Sequence, residues 1–151
     1  MNNKLDQIEY LKNQLTQYRP LSAAEVQRLR EEFIIESSYN SNAIEGNTIT
    51  LRETVLILKE GITIAEKPIR EHLDIIGFKD AFNYIYELVA NNEPLTECTI
   101  KDIHSLVLMG SAENRGVYRK IPLRILGAEN EPTAPYLIAE EMQRLIEKYQ
   151  Q

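Results

Sequence analysis

One cysteine, Cys98, occurs in 151 residues. An internal disulfide and a multi-thiolate metal site are thereby excluded, and a reducing compartment, by default the cytoplasm, is the expected setting. Glycine and proline are sparse at 6 each, so the chain encodes neither a fibrous repeat nor a low-complexity disordered tract. No stretch approaches the ~20 apolar residues of a membrane span, and the opening Met1, Asn2, Asn3, Lys4 lacks the apolar run of a signal peptide, so no membrane association is expected. Positive charge is in deficit. With 17 Lys and Arg against 23 Asp and Glu the formal charge is −6, which disfavours nucleic acid as a partner, since such binders gain affinity from clustered cations that release counterions.

Catalytic signatures are missing too. There is no phosphate loop of the form Gly-x-x-x-x-Gly-Lys, no Gly-x-Gly-x-x-Gly, no Gly-x-Ser-x-Gly and no His-Glu-x-x-His. Only two histidines occur, His72 and His104, and each sits inside a helical pattern with no ligand-spaced partner. Both read as satisfied core or boundary residues, with no metal implied. The pairs Glu31/Glu32 and Glu140/Glu141 point to different sides of a helix and read as solvated faces.

What is present is globular. The apolar share is 43%, and a single domain of this length buries roughly 70% of the surface its unfolded chain exposes. Apolar residues at Leu5, Ile8, Leu11 and Leu15 make one helical stripe, ended by Tyr18, Arg19 and Pro20, that packs onto the domain or forms a small homodimer seam. Ser22 and Glu25 have capping-box spacing and open a second helix that runs to about Asn42 or Ile44, with Gly46 and Asn47 suited to positive φ beyond it. Thr50 and Glu53 repeat the box for a short third helix stopped by Gly61. Pro68 starts a long helix that lasts until Asn91 and Asn92. A fifth helix, with Ile100, Ile103, Leu106 and Val107, is expected to close at Gly110.

The period then shifts toward two at Ile121, Leu123 and Ile125, which predicts a short β-hairpin; Pro122 confines it to an edge and Gly127 suits its turn. The unpaired edge of such a hairpin can take on an extended segment of another protein as an extra strand, or be structural only. Leu137, Ile138, Met142, Leu145, Ile146 and Tyr149 form the stripe of a last helix, which is expected to continue into a further part of a longer protein. The fold class expected is therefore mainly α with one short β-hairpin, incomplete at its C-terminus.

In the run Ser41, Asn42, Ala43, Ile44, Glu45, Gly46, Asn47 a carboxylate stands at the end of a helix, where the helix dipole disfavours an anion. Glu45 is either a solvated end residue or in want of a cationic partner. The order of features is more specific than any one of them. Ser-x-x-x-Glu-Gly-Asn precedes a long helix, then Ile-x-x-Ile-His-x-x-Val-x-x-Gly, then Gly-x-Tyr-Arg with a β segment, then a helix containing Met142. This order resembles the Fic family of protein adenylyltransferases, in the subgroup whose inhibitory helix precedes the catalytic core.

The resemblance covers the chain from about Ser22 onward. It implies an N-terminal helix at 1–20, an inhibitory-helix segment at 21–48, and the N-terminal part of a Fic-like domain at 49–151 with a flap at about 117–129. It implies that Glu45, with Ser41 and Gly46 of its motif, would block an arginine that otherwise grips the ATP γ-phosphate. A bidentate Arg–carboxylate pair suits that role because it occupies the donor fork the nucleotide needs. It further implies that Ile121, Leu123 and Ile125 face a protein target in the flap, and that Leu126, Gly127, Ala128 and Glu129 lie near the nucleotide.

One family element is missing. The motif His-x-Phe-x-Asp/Glu-Gly-Asn-Gly-Arg, called the catalytic loop below, supplies a general base, a metal ligand and phosphate donors, and it does not occur in these residues. The expectation is an enzyme region that is inactive alone and binds no cofactor alone. ATP and Mg²⁺ would serve the complete parent, whose partner would be a protein carrying a Ser, Thr or Tyr hydroxyl. The alternatives are a non-enzymatic helical interaction module and, more weakly, a winged-helix DNA binder, against which the acidic charge counts.

Overall fold

The computed structural model describes residues 3–17 and 21–150. Tyr18, Arg19 and Pro20, read above as the stop of the first helix, lie outside the described residues. Among the described residues six α-helices follow in order: α1 (Asn3–Gln17), α2 (Ala23–Ile44), α3 (Leu51–Val55), α4 (Ile69–Ala90), α5 (Glu97–Val107) and α6 (Ile138–Tyr149). A π-helical stretch, Leu56–Glu60, extends α3, and a 3₁₀ turn, Pro135–Leu137, leads into α6. The mainly α expectation holds. The chain divides into two compact units, Met1–Phe33 and Ile34–Gln151.

In the first unit, α1 carries Leu5, Ile8, Leu11 and Leu15 on its surface, each more than half exposed. The box before α2 forms as its spacing predicts. The Ser22 backbone N–H donates to Glu25 Oε2 at 2.8 Å, and the Glu25 N–H donates to Ser22 Oγ at 3.3 Å. These bonds satisfy two of the orphan donors at the helix start.

In the second unit, the core centres on Ile49, Ile57 and Ile75, with Leu58, Ile64 and Ile76 packed against them. Thr50 Oγ1 accepts from the Glu53 N–H at 3.3 Å while Glu53 Oε2 accepts from the Thr50 N–H at 2.7 Å, so α3 starts on a complete capping box. The Thr50 N–H bond, with a second bond donated by Thr50 Oγ1 to Glu53 Oε2 at 2.8 Å, holds the Glu53 carboxyl below its ordinary value. Gly61, at φ +65°, ends the π stretch where a left-handed residue is required. His72 is buried, and its Nε2 accepts from the Ile64 N–H at 2.8 Å while Nδ1 faces Pro68 O at 3.0 Å. Both ring nitrogens are thus satisfied in one neutral tautomer, with Nδ1 as the protonated nitrogen.

The contact between α4 and α5 is unusually close. An ideal Cβ added at Gly77 would lie 2.1 Å from Leu106 O and 2.9 Å from Met109 Cβ, so the two helices meet backbone to backbone there. Gly110 is a second close point: a Cβ would fall 2.7 Å from Asp74 Oδ1 and 2.9 Å from Arg70 Cγ. This corrects the reading of Gly110 as the stop of α5. The helix ends at Val107 with Leu108 as its cap, and Gly110 is small because α4 passes next to it.

The β-hairpin expectation also fails: no strand occurs among the described residues, and 108–134 is irregular chain. The physical reason includes Pro122 within the expected span and Pro132 just beyond it, each of which lacks the N–H that a ladder needs. A lone two-stranded hairpin is marginal in water even with every donor present.

Candidate functional site

The end of α2 is set by a Schellman motif. The Gly46 N–H donates to Ala43 O at 3.1 Å and the Asn47 N–H to Asn42 O at 3.0 Å, with Gly46 at φ +88°. Glu45 is therefore the cap residue itself, at the negative end of the helix dipole. Its side chain is exposed and has no hydrogen-bond or ion-pair partner among the described residues. Only Gly46 of the two residues suited to positive φ adopts it.

Asn47 serves differently. Its Oδ1 accepts from the Ile49 N–H at 3.0 Å and its Nδ2 donates to Glu71 O at 3.0 Å, which ties the chain after α2 to the first turn of α4. Glu71 Oε2 accepts from the Thr48 N–H at 2.8 Å and from Thr48 Oγ1 at 2.7 Å. Lys67 Nζ donates to Thr48 O at 2.7 Å and to its Oγ1 at 2.9 Å. Burial pushes the Glu71 carboxyl up, but the two Thr48 bonds, with the Lys67 ammonium nearby, outweigh it and leave it below its ordinary value.

A carboxyl with a lowered folded value contributes stability above its unfolded value, and the contribution is lost as pH falls through the folded one. The Thr48–Glu71 latch should therefore weaken as pH drops below about 4.5. Thr48→Val, which removes the Oγ1 bond, is expected to make the urea midpoint less acid-sensitive between about pH 3 and pH 6. An unchanged acid slope in Thr48→Val would show that this latch does not couple to folding.

Asn47 and Glu71 of these contacts also line a cleft of about 660 Å³. Ser41, Asn42, Glu45 and Gly46 line it from α2, Arg70, Glu71, Asp74 and Phe78 from α4, and Val107 and Leu108 from the end of α5. The three motif residues Ser41, Glu45 and Gly46 are thus brought to one place. Burial pushes the Asp74 carboxyl up, helped by Glu71 and opposed by Arg70 and the Gly110 amide. Arg70 Nε lies 3.9 Å from Asp74 Oδ2. Arg70 and Asp74 escaped sequence reasoning, because an Arg and an Asp four apart on a helix read as a surface pair.

The residues expected to form a flap lie elsewhere. Ile121 and Leu123 line a second, smaller concavity of about 450 Å³ with Tyr118 and Arg119, and Ile125 is largely exposed. Leu126, Gly127, Ala128 and Glu129 form an exposed turn in which the Ala128 N–H donates to Ile125 O at 3.2 Å and Gly127 takes φ +80°. None of these four lines the Glu45 cleft.

No protein-family model matches the chain. The protein adenylyltransferase Fic of Nematostella vectensis is 30% identical over 139 residues, which cover 91% of this chain and 32% of that protein. Protein adenylyltransferase fic-1 of Caenorhabditis elegans is 30% identical over 125 residues, 81% of this chain and 24% of that one. A Fic domain containing signaling protein from Bacteroides thetaiotaomicron superposes with a TM-score of 0.84 at 26% identity, covering 95% of this chain and 55% of that one. The chain belongs to the Fic family.

Solved C. elegans Fic-1 has the same helical arrangement, with a TM-score of 0.78 at 25% identity over 97% of this chain and 43% of that one. The Fic-like helical fold expected from the sequence is the fold observed, without its hairpin. The chain spans about a third or less of the curated Fic relatives named above. Among the described residues no helix is long and apolar enough to cross a membrane, and no group of three His, Cys, Asp or Glu is placed to hold a metal ion.

Proposed function

We propose that this chain is the regulatory and flap-bearing region of a Fic enzyme that transfers AMP from ATP to a Ser, Thr or Tyr hydroxyl of a protein, with Glu45 as the inhibitory residue. The observation that carries the reading is the placement of Glu45. It caps α2 as an unpaired, exposed carboxylate, on the wall of a cleft it shares with Ser41 and Gly46. Such a group is available to an arginine, and the dipole that disfavours the bare anion strengthens its need for one. A glutamate-to-glycine form of C. elegans Fic-1 is also among the structural neighbours, with a TM-score of 0.76.

The described residues do not by themselves fit ATP and Mg²⁺. Glu45, Glu71 and Asp74 in the cleft oppose a polyphosphate, with Arg70 as their counter-charge. Phosphate binding and the general base are therefore assigned to the catalytic loop of the complete enzyme. In-line transfer depends on positioning and charge stabilisation, so the 151-residue chain is expected to transfer no AMP. Incubation with labelled ATP, Mg²⁺ and protein acceptors measures this, and robust label incorporation would reject the division of labour.

A second reading has one observation in its favour. The exposed stripe Leu5, Ile8, Leu11 and Leu15 of α1 suits a helical protein-interaction module. A longer form that carries the catalytic loop yet transfers no AMP would favour that reading.

A further inference from the structure

The irregular segment 108–134 is longer than structureless loops usually are, and such loops are commonly functional. It is nevertheless organised. Its first part is fixed on α5. His104 Nδ1 accepts from the Gly116 N–H at 3.0 Å, Arg115 Nε donates to Ser105 Oγ at 3.3 Å, and Lys101 Nζ sits 4.4 Å over the Tyr118 ring. Gly116 takes φ +69°, and a Cβ there would meet Lys101 O at 3.4 Å, so the chain turns tightly against the helix before the flap begins.

Arg119 comes next. Its Nη1 donates to Ile121 O at 3.1 Å and its Nη2 donates to Thr133 O. Among the described residues the second bond is the hydrogen bond that joins the two ends of 120–134. At the tip, the Ile125 to Ala128 turn has Gly127 at its third position with φ +80°, as a type II turn requires. The segment is thus built as a hairpin without a ladder, with a turn at the tip and a side chain across the neck.

The two carbonyls Arg119 bridges belong to the residue before Pro122 and the residue after Pro132. Proline has removed the backbone donors at this level of both arms. A planar guanidinium with its donors in a fixed fork can serve two separate carbonyls at once, which a lysine ammonium on a flexible stem does poorly.

We propose that Arg119 is the positioning residue of the flap. It closes the neck where prolines forbid strand pairing, and so holds in place the segment on which Ile121, Leu123 and Ile125 are exposed to meet an extended polypeptide. The closure is independent of the enzymatic reading; the identity of the polypeptide as a modification target rests on it.

The test has two arms. In a Cys98→Ser chain, spin labels at Lys120→Cys and Ala134→Cys report the width of the neck. A narrow, short distance distribution is expected, broadened in Arg119→Gln and intermediate in Arg119→Lys, with helical circular dichroism unchanged. The same distribution in Arg119→Gln as in the parent would overturn the proposal. In a Fic chain extended through the catalytic loop, with casein as acceptor, Arg119→Gln is expected to raise the KM for casein about tenfold and leave the KM for ATP unchanged. Equal loss on both substrates, or no change in either, would overturn the positioning role. An extended parent chain that transfers no AMP at all would reject the enzymatic reading, and the neck distances would then decide the closure alone.

Discussion

Glu45→Gly is expected to raise automodification about 10- to 100-fold in a Fic chain extended through its catalytic loop, the factor that corresponds to losing a charge-assisted bond of roughly 1.5–3 kcal/mol. The argument starts from the cap. Glu45 contributes no side-chain bond to the fold among the described residues, so its removal takes nothing from packing. Glycine tolerates the cap position, and the 151-residue chain should keep its stability within about 0.5 kcal/mol. Labelled-ATP automodification rates of parent and variant, with thermal unfolding of the short chain, measure both halves. Unchanged automodification would reject the inhibitory role; a large fall in melting temperature would show that Glu45 is structural.

Gly77→Ala carries the largest expected effect on stability. The added methyl would stand 2.1 Å from Leu106 O, and that neighbour is backbone, which cannot rotate away. Helix α4 would have to separate from α5, opening the contact at Met109 as well. Overpacking of this kind costs about 1–3 kcal/mol and more where backbone must move. For a domain of this size a loss of 3 kcal/mol lowers the melting temperature by about 6–12 °C. A Gly77→Ala chain melting within 2 °C or so of the parent would mean that the two helices do not meet this closely. Because α4 and α5 both wall the Glu45 cleft, the same substitution should also disturb the site.

Much of the fold was legible because its signals are local. Ser22 with Glu25, and Thr50 with Glu53, form the boxes their spacing announced, since such bonds span three residues and need no tertiary partner. The end of α2 was legible from Gly46, because few other residues accept that backbone conformation. The hairpin failed for a reason also present in the sequence. Alternation at Ile121, Leu123 and Ile125 favours strands, but Pro122 removes a ladder donor within that stretch and Pro132 removes another on the returning chain.

The site was legible in part. Ser41, Glu45 and Gly46 could be named because they sit in one short run. Glu71 and Lys67, which tie down the end of that run through Asn47 and Thr48, lie about two dozen positions or fewer from them and carry no spacing signal. The role of Arg119 depends on Thr133 being near, and closing a loop leaves no periodic trace.

By itself, then, the sequence determined the helical class, the boxes and caps that bound the helices, the family order of features, and Glu45 as the residue to watch, because all of these are written in short-range backbone chemistry or in motif order. Only the tertiary structure decided that Glu45 stands unpaired among the described residues on a cleft with Asp74 and Arg70, that Gly77 and Gly110 are glycines because α4 and α5 touch, and that Arg119 bridges Ile121 and Thr133 where no strands pair. Those facts depend on which distant backbones come within hydrogen-bonding or contact distance, and that follows from packing the whole unit.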